Sequence, residues 1–258
     1  MVLKNKTEKL NNRNISEQKF HNKKYSSVHK APAHYKYNPI SIIYLRIKKM
    51  IGGISKKDVL EYGCGNGWLT AELASIGGKI YSFDISEEAI KTANLFLSKH
   101  NLSQNVCLKK MSGEELEYPD NSFDVVVGFA ILHHLDLDKA IPEIYRVMKP
   151  SACAYFAEPL GTNPLINFYR KLTPEFRTVD ESPIVLDEFK VYVKKFRKWS
   201  HEEYYLTALL PLFLSHVPVL RNFAGKLMLP LMNLDKKLLI MMPILGKFAW
   251  YSIFTLHK

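Results

Sequence analysis

The sequence predicts an α/β fold in which a doubly wound, mainly parallel sheet carries helices on both faces. Short apolar runs alternate with amphipathic stretches between residues 58 and 160, as expected for successive strand–helix units. A glycine cluster closes the first apolar run and precedes a helical stretch, which is the order of a tight βα turn. Beyond Pro159 the pattern changes to Pro-punctuated and then Leu- and Met-rich sequence, which predicts a hydrophobic helical addition.

The first two strand–helix units are the clearest. Residues 58–62 form a short apolar run, and the helical stretch 68–77 follows the glycines. Residues 79–84 predict the second strand, and residues 86–101 the second helix. Ser86 precedes two glutamates there, as an N-cap followed by an acidic first turn.

Two further units complete the predicted sheet. Residues 106–110 and 122–130 predict the third and fourth strands, and residues 137–150 predict a helix that Pro150 closes. A buried fifth strand follows over residues 151–159. In such sheets ligands bind beyond the carboxyl ends of the strands, so we expect the site there.

Three regions are expected along the chain. Residues 1–33 are rich in Lys and Asn and predict a basic, flexible arm. Residues 34–160 predict the ligand-binding core, beginning with a helix near His34. Residues 161–258 predict a lid or insertion and a hydrophobic region that completes the fold.

The hydrophobic region has two interpretations. Residues 204–220 contain no Lys, Arg, Asp or Glu, but the run is shorter than the roughly 20 residues of a membrane span and contains prolines. We therefore expect amphipathic helices that roof a substrate pocket or lie on a membrane surface. Plain packing of helices over the sheet is the alternative.

The charge distribution argues against a nucleic-acid platform. The net charge is +11, but residues 1–50 hold 12 Lys or Arg against two Glu, and residues 51–203 are net acidic. Three cysteines fit neither a disulfide framework nor paired zinc ligands, so we expect no metal. With no apolar signal-peptide core at the N-terminus, we expect a cytoplasmic protein. The sequence does not predict its oligomeric state.

The glycine motif, VLEYGCGNG at residues 59–67, carries the strongest chemical signal. Glycines let the backbone approach a ligand closely. A nicotinamide dinucleotide would place its pyrophosphate at such a turn. Glu61 would repel that group but suits a ligand with ammonium and sulfonium charges.

The segment EYGCGNG resembles the first motif of the class I S-adenosylmethionine-dependent methyltransferases, in particular the small-molecule group. This similarity covers about residues 50–160. It implies the Rossmann-like methyltransferase fold, with a sheet of the seven-stranded type, and S-adenosylmethionine as methyl donor. The cofactor-binding residues that it implies are Glu61, Gly63, Cys64, Gly65, Gly67, Asp84, Ile85, Ser112, Gly113 and Phe129.

Two later segments extend the resemblance. Asp84 ends the second strand where the family uses an acid to accept hydrogen bonds from both ribose hydroxyls. The segment MSGEELEYPDNSFDVVVGFAILHHL resembles the family's adenine turn and fourth strand. Ser112 and Gly113 stand where the family commonly has Asp-Ala, so Glu114 or the backbone would have to bind the adenine amino group instead.

The catalytic candidates are His133 and His134. They either cap the following helix and pack structurally, or one of them orients or deprotonates the acceptor. Glu158, just beyond the fifth strand, has the same two interpretations. Tyr35 and Tyr37 either close over the cofactor or anchor the arm.

The expected reaction is direct displacement of the methyl group by a nucleophile of a small organic acceptor. Holding two reactants together can supply about 7–11 kcal/mol of the barrier, so a general base is required only for a poorly acidic hydroxyl. The apolar region favours a lipid-like acceptor. The alternatives are a noncatalytic or membrane-associated binder with this fold, and an NAD(P)-dependent oxidoreductase.

Overall fold

A computed structural model describes residues 2–26, 39–178, 180–215 and 217–258, with side chains from residue 12 in the first segment and from residue 42 in the second. Tyr35 and Tyr37 lie outside the described residues, so their predicted roles are not addressed.

Nine α-helices and seven strands are found in the described part of the chain. The helices are α1 Val2–Ser26, α2 Pro39–Ile51, α3 Trp68–Ser75, α4 Glu87–Lys99, α5 Leu137–Val147, α6 Pro164–Leu172, α7 Leu186–Tyr192, α8 Leu209–Leu214 and α9 Arg221–Met241. The strands are β1 Asp58–Tyr62, β2 Lys79–Asp84, β3 Val106–Lys110, β4 Phe123–Phe129, β5 Met148–Pro159, β6 Lys198–Tyr204 and β7 Tyr251–His257.

The strands form one sheet in the order β3-β2-β1-β4-β5-β7-β6. Strands β1 to β5 pair in parallel, whereas β7 is antiparallel to both β5 and β6. The strand order reverses between β1 and β4, which places a crevice at their carboxyl ends. The predicted doubly wound, mainly parallel sheet is therefore confirmed.

Helices cover both faces of the sheet. On one face, α5 and α7 bury apolar side chains such as Ile144 and Phe189 against β4, β5 and β7. On the other, α2, α3 and α8 bury Ile47, Leu73 and Leu209. Strands enclosed in this way are apolar on both sides, which is why they appear as continuous apolar runs in the sequence.

The N-terminal segment differs from the prediction of a flexible arm, since residues 2–26 form helix α1. No acidic residue lies in its first turn, and its mean hydropathy is low, so its sequence alone gives little helical signal. Contacts with distant residues stabilise it instead: α1 packs along α4, and Glu17 is only 3% exposed.

Pro150 does not close the fifth helix, contrary to the sequence prediction. Helix α5 ends at Val147, and β5 begins at Met148. The register shifts between the Phe123 and Val125 pairings, and regular pairing resumes at Cys153. Pro150 thus lies at an exposed irregularity, where the loss of a ladder donor is tolerated.

The C-terminal region combines strands with helices. Asp235 of α9 is 4% exposed, and its carboxylate accepts hydrogen bonds from the backbone N–H groups of Leu206, Thr207 and Ala208. A buried acid therefore fixes the chain where α8 begins. Among the described residues, we find no helix with both the length and the apolar character needed to cross a lipid bilayer.

Candidate active site

The predicted cofactor residues lie at the carboxyl ends of β1, β2, β3 and β4, with Ser112 and Gly113 just beyond β3. The glycine turn follows β1, Asp84 ends β2, and Phe129 ends β4. Phe129 is half-buried, with its ring 6.2 Å from that of Tyr251. The topology thus gathers residues that are far apart in the sequence.

The glycine turn has a backbone that other residues tolerate poorly. Gly63, Gly65 and Gly67 all have positive φ, with 81° at Gly67. A Cβ at Gly67 would lie 2.8 Å from the Cα of Ala93 in α4. The turn therefore packs directly against α4, and a side chain at this position would force the helix away.

Asp84 links the end of β2 to the glycine turn. One carboxylate oxygen accepts a hydrogen bond from the Gly65 N–H at 3.1 Å, and the other accepts from the Ser86 N–H at 2.9 Å. Burial raises the pKa of Asp84, while these two donors oppose the shift. The Ser86 hydroxyl, rather than Asp84, caps α4 by accepting from the Ala89 N–H.

Glu61 is buried directly beneath the turn. Its Oε2 accepts a hydrogen bond from the Thr70 hydroxyl at 2.6 Å, and burial raises its pKa to about 7. Its Oε1 is buried without a hydrogen-bond partner among the residues described. An ammonium group of a ligand would supply the missing donor and the missing positive charge.

Two more motif residues contact the same turn. Cys64 is buried, and burial raises the pKa of its thiol, so the thiol stays protonated. The carbonyl of Ile85 accepts a hydrogen bond from the Gln18 side chain of α1 at 3.1 Å. Neither side chain offers a reactive group, which leaves both with a packing or backbone role.

The turn at Ser112 and Gly113 is supported by its own side chains. The Ser112 hydroxyl accepts a hydrogen bond from the Glu114 N–H, and a Cβ at Gly113 would lie 3.0 Å from the Tyr62 ring. The Glu114 carboxylate accepts from the Asp136 N–H at 2.8 Å and from Asn14 at 3.4 Å. These bonds direct Glu114 toward α5 and α1, so its proposed contact with adenine stays a prediction.

His133 and Glu158 form a buried pair at the ends of β4 and β5. The His133 Nδ1 lies 2.7 Å from the Glu158 carboxylate, which also accepts from the backbone N–H groups of Ile131 and Leu132. Burial lowers the pKa of His133 to about 3 and raises that of Glu158 to about 7. The imidazole is therefore neutral, and we assign its proton to Nδ1, which leaves Nε2 as an acceptor.

His134 faces a different group. Its ring lies 4.1 Å from that of His133 and 5.2 Å from that of His21, and its Nδ1 is 3.1 Å from Glu17. The adjacent histidines thus point to different partners, one toward the sheet and the other toward α1.

Sequence reasoning missed the contribution of α1. Asn22 accepts from the Ser86 hydroxyl, and the Tyr25 hydroxyl lies 2.7 Å from the point where a Gly65 Cβ would stand. With the Gln18 bond to Ile85, these contacts place α1 across the mouth of the crevice. The spacing of Glu17 and His21, one helical turn apart, is the only sequence signal that could have indicated a buried polar face.

Comparison with known families and proteins points to one chemistry. A family model described as a methyltransferase domain matches residues 60–156. The demethylmenaquinone methyltransferase of Lactobacillus johnsonii is 35% identical over 126 residues, covering 45% of this chain and 52% of that protein. The ubiquinone biosynthesis O-methyltransferase of Nitrosomonas europaea is 32% identical over 145 residues, covering 55% and 59%. The chain thus spans about half the length of the curated relatives it matches.

Solved structures share the fold at low identity. Phosphoethanolamine N-methyltransferase 2 of Haemonchus contortus, in complex with S-adenosylhomocysteine, superposes with a TM-score of 0.63 at 18% identity, covering 84% of this chain and 52% of that one. The cyclase SpnF superposes with a TM-score of 0.53 at 18% identity, covering 83% and 80%. Because one neighbour is named a cyclase, the fold by itself does not fix the reaction.

Proposed function

We propose that this chain, a class I S-adenosylmethionine-dependent methyltransferase by its domain at residues 60–156, methylates a quinone-type lipid precursor at a ring hydroxyl or at the ring carbon beside it. The single observation that carries the proposal is the joining of two sites in one crevice. The two are connected through Ile131, whose side chain lies 3.0 Å from the position of a Gly63 Cβ in the cofactor turn and whose N–H donates to Glu158 of the buried His133–Glu158 pair.

The cradle residues fit S-adenosylmethionine. Glu61 has an unpartnered buried oxygen for the ammonium group, within the part of the chain that the structure describes. The three glycines of the turn add no side chain of their own toward a ligand, and the side chain nearest Gly65 is that of Tyr25 in α1. Asp84 has lone pairs left for the ribose hydroxyls beside its two backbone bonds. S-adenosylmethionine supplies a methyl group on a positively charged sulfur, which leaves as a neutral thioether.

His133 acts as the general base in this proposal. Glu158 holds the imidazole so that the Nε2 lone pair is free for a proton, the arrangement by which a carboxylate orients a catalytic histidine. Nε2 takes the proton of a phenolic hydroxyl while the Nδ1 proton passes to the Glu158 carboxylate, because burial lowers the pKa of His133 to about 3 and raises that of Glu158 to about 7. The resulting phenolate electron pair forms the new bond to the methyl carbon. A phenolate directs that bond to its oxygen or to the neighbouring ring carbon. At the ring carbon, the hydrogen already there then leaves as a proton, and the oxygen takes up a proton as the ring becomes aromatic again.

The relatives' names and the C-terminal region support a quinone-type acceptor. Of the two relatives described above, one is named for demethylmenaquinone and the other for ubiquinone biosynthesis. A polyprenylated ring needs an apolar environment beside the reacting hydroxyl. The helices α6, α8 and α9, rich in exposed apolar side chains, are available for the prenyl chain.

We further infer that this region rests on a membrane surface. The exposed apolar side chains of this region include Leu165, Phe168, Leu172, Leu210, Val219, Phe223, Leu229, Ile240, Met241, Met242 and Ile244. Lys226, Lys236, Lys237 and Lys247 add positive charge. Exposed apolar side chains beside lysines are typical of helices that bind the surface of an anionic membrane. A prenylated quinone precursor would be reached at such a membrane.

The acceptor is tested by incubating the protein and S-adenosylmethionine with a demethylmenaquinol and, separately, with a polyprenylated catechol. Mass spectrometry of a product heavier by one methyl group on either ring would support the proposal. Cofactor binding without methylation of either ring would overturn the acceptor class and leave the cofactor assignment intact.

Membrane contact is tested by sedimentation with anionic vesicles. We expect the protein to pellet at low salt, and the double substitution Ile240→Asp and Ile244→Asp to leave it in the supernatant. Leu95→Asp, which alters an equally exposed leucine of α4, should still pellet. Equal binding of all three forms would contradict this surface.

A further inference from the structure

Three side chains of metal-binding types, one glutamate and two histidines, lie close together at the inner face of α1. Glu17 and His21 lie one helical turn apart on the inner face of α1, and His134 reaches them from the turn after β4. The Glu17 Oε2 is 3.4 Å from the His21 Nε2 and 3.1 Å from the His134 Nδ1. The three side chains are only 4%, 15% and 14% exposed.

The facing atoms lack hydrogen bonds despite their burial. Within the described part of the chain, neither the Glu17 Oε2 nor the His134 Nδ1 has a hydrogen-bond partner. The other carboxylate oxygen of Glu17 accepts from the Thr178 hydroxyl, which fixes the carboxylate. Buried polar atoms without partners are rare, and these two lie 3.1 Å apart without the geometry of a hydrogen bond, so a cation bound by both would satisfy them.

We propose that Glu17, His21 and His134 bind one divalent transition-metal ion, with zinc as the favoured ion. Zinc ligands lie about 2.0–2.2 Å from the metal in a tetrahedron, which separates donor atoms by roughly 3.3–3.6 Å. The Glu17 carboxylate oxygen lies at similar distances, 3.4 Å and 3.1 Å, from the facing nitrogens of His21 and His134. Two imidazoles favour zinc over magnesium or calcium, which prefer oxygen donors. The fourth position is free for water.

The neighbouring group of His133, His134 and Glu181 is a weaker candidate. Among the residues described, the second group contains one buried atom without a hydrogen-bond partner, the Nδ1 of His134, whereas the first group contains two. The expectation of no metal came from the three cysteines. It does not address this group, whose ligands are histidines and a glutamate from segments far apart in the chain.

The bound ion would fasten α1 to the turn that carries His133. Because α1 also contacts Ile85 and Ser86, the metal would hold the helix over the cofactor crevice. This inference does not depend on the acceptor, since metal binding is measured without methyl transfer.

The test is calorimetric titration of zinc chloride into the full-length, tag-free protein, with magnesium chloride as comparison. We expect one equivalent of zinc to bind and magnesium not to bind. His21→Asn and Glu17→Gln should each weaken zinc binding at least tenfold. His201→Ala removes another histidine that contacts a glutamate, Glu203, outside the cluster, and should bind zinc as the parent does.

A spectroscopic readout separates coordination from loose binding. Cobalt bound in the tetrahedral site should give strong visible absorption that His21→Asn abolishes and His201→Ala retains. Circular dichroism of the variants shows whether α1 stays helical. No zinc binding by the parent, or equal loss in the His21→Asn and His201→Ala variants, would overturn the proposal.

Discussion

The Nδ1 of His133 lies 2.7 Å from the carboxylate of Glu158, although the two residues are 25 positions apart and belong to different strand ends. Both are buried, and the carboxylate also receives backbone N–H donors from the turn that carries the histidine. The pair is therefore held rigidly, with one imidazole nitrogen left for chemistry.

Replacing His133 tests whether that nitrogen matters. His133→Gln keeps a hydrogen-bonding side chain but removes the base, so kcat should fall about 10²–10⁴-fold. The dissociation constant of S-adenosylmethionine should stay within about threefold. Steady-state kinetics and calorimetry measure the two quantities. A parallel loss of cofactor affinity and kcat would indicate that His133 only supports the fold.

Glu61 links pH to both stability and cofactor binding. Its folded pKa of about 7 lies above its ordinary value of 4.5, so the folded protein holds the extra proton between these values. Folding stability therefore falls as pH rises from about 4.5 to 7, and the whole cost, on the order of 3 kcal/mol, is present above pH 7. Glu61→Gln should thus gain stability relative to the parent between pH 5 and pH 8.

The same substitution should weaken cofactor binding. Loss of the charged hydrogen bonds to the ammonium group costs about 1.5–3 kcal/mol, or roughly 10- to 150-fold in affinity. Urea unfolding at both pH values and calorimetry at pH 8 measure the two effects. A variant that is stabilised and still binds the cofactor normally would remove Glu61 from the site.

Gly67 tests the close approach of the turn and α4. Gly67→Ala combines a positive φ with a 2.8 Å contact to the backbone of Ala93, so we expect a loss of at least about 2 kcal/mol in unfolding free energy. Gly53→Ala is the control, because no described atom lies within 4 Å of the position that its Cβ would occupy. Similar stability of the two variants would contradict the packing described here.

Helix α1 should slow the release of the cofactor. The double substitution Gln18→Ala and Asn22→Ala removes its bonds to Ile85 and Ser86, so the cofactor should dissociate at least about fivefold faster. Stopped-flow displacement of bound S-adenosylmethionine gives the rate, and Lys19→Ala on the exposed side of α1 serves as control. Slower release or tighter binding would mean that α1 competes with the cofactor.

The core of this fold could be predicted because local patterns and long-range structure agree there. Residues 58–62 and 79–84 are apolar runs with clear ends, and Ser86 caps α4 as its sequence suggests. The cofactor residues were those that the resemblance to the methyltransferase family implies. Their contacts with S-adenosylmethionine stay predictions.

The parts that could not be predicted depend on distant contacts. Helix α1 is stabilised by residues such as Thr178, which lies 161 positions from Glu17. Strand β7 is apolar on both faces and cannot be distinguished from a buried helix by periodicity. The pairing of His133 with Glu158 follows from the adjacency of β4 and β5, which the sequence pattern does not specify.

Calorimetric titration of S-adenosylmethionine and S-adenosylhomocysteine into the 258-residue protein measures whether the crevice binds this cofactor. We expect micromolar binding of both ligands, a loss of about 1–3 kcal/mol with Asp84→Ala, and no change with Asp187→Ala, which removes an exposed acid. If neither ligand binds, the cofactor assignment is wrong, and the protein keeps this fold without the cofactor.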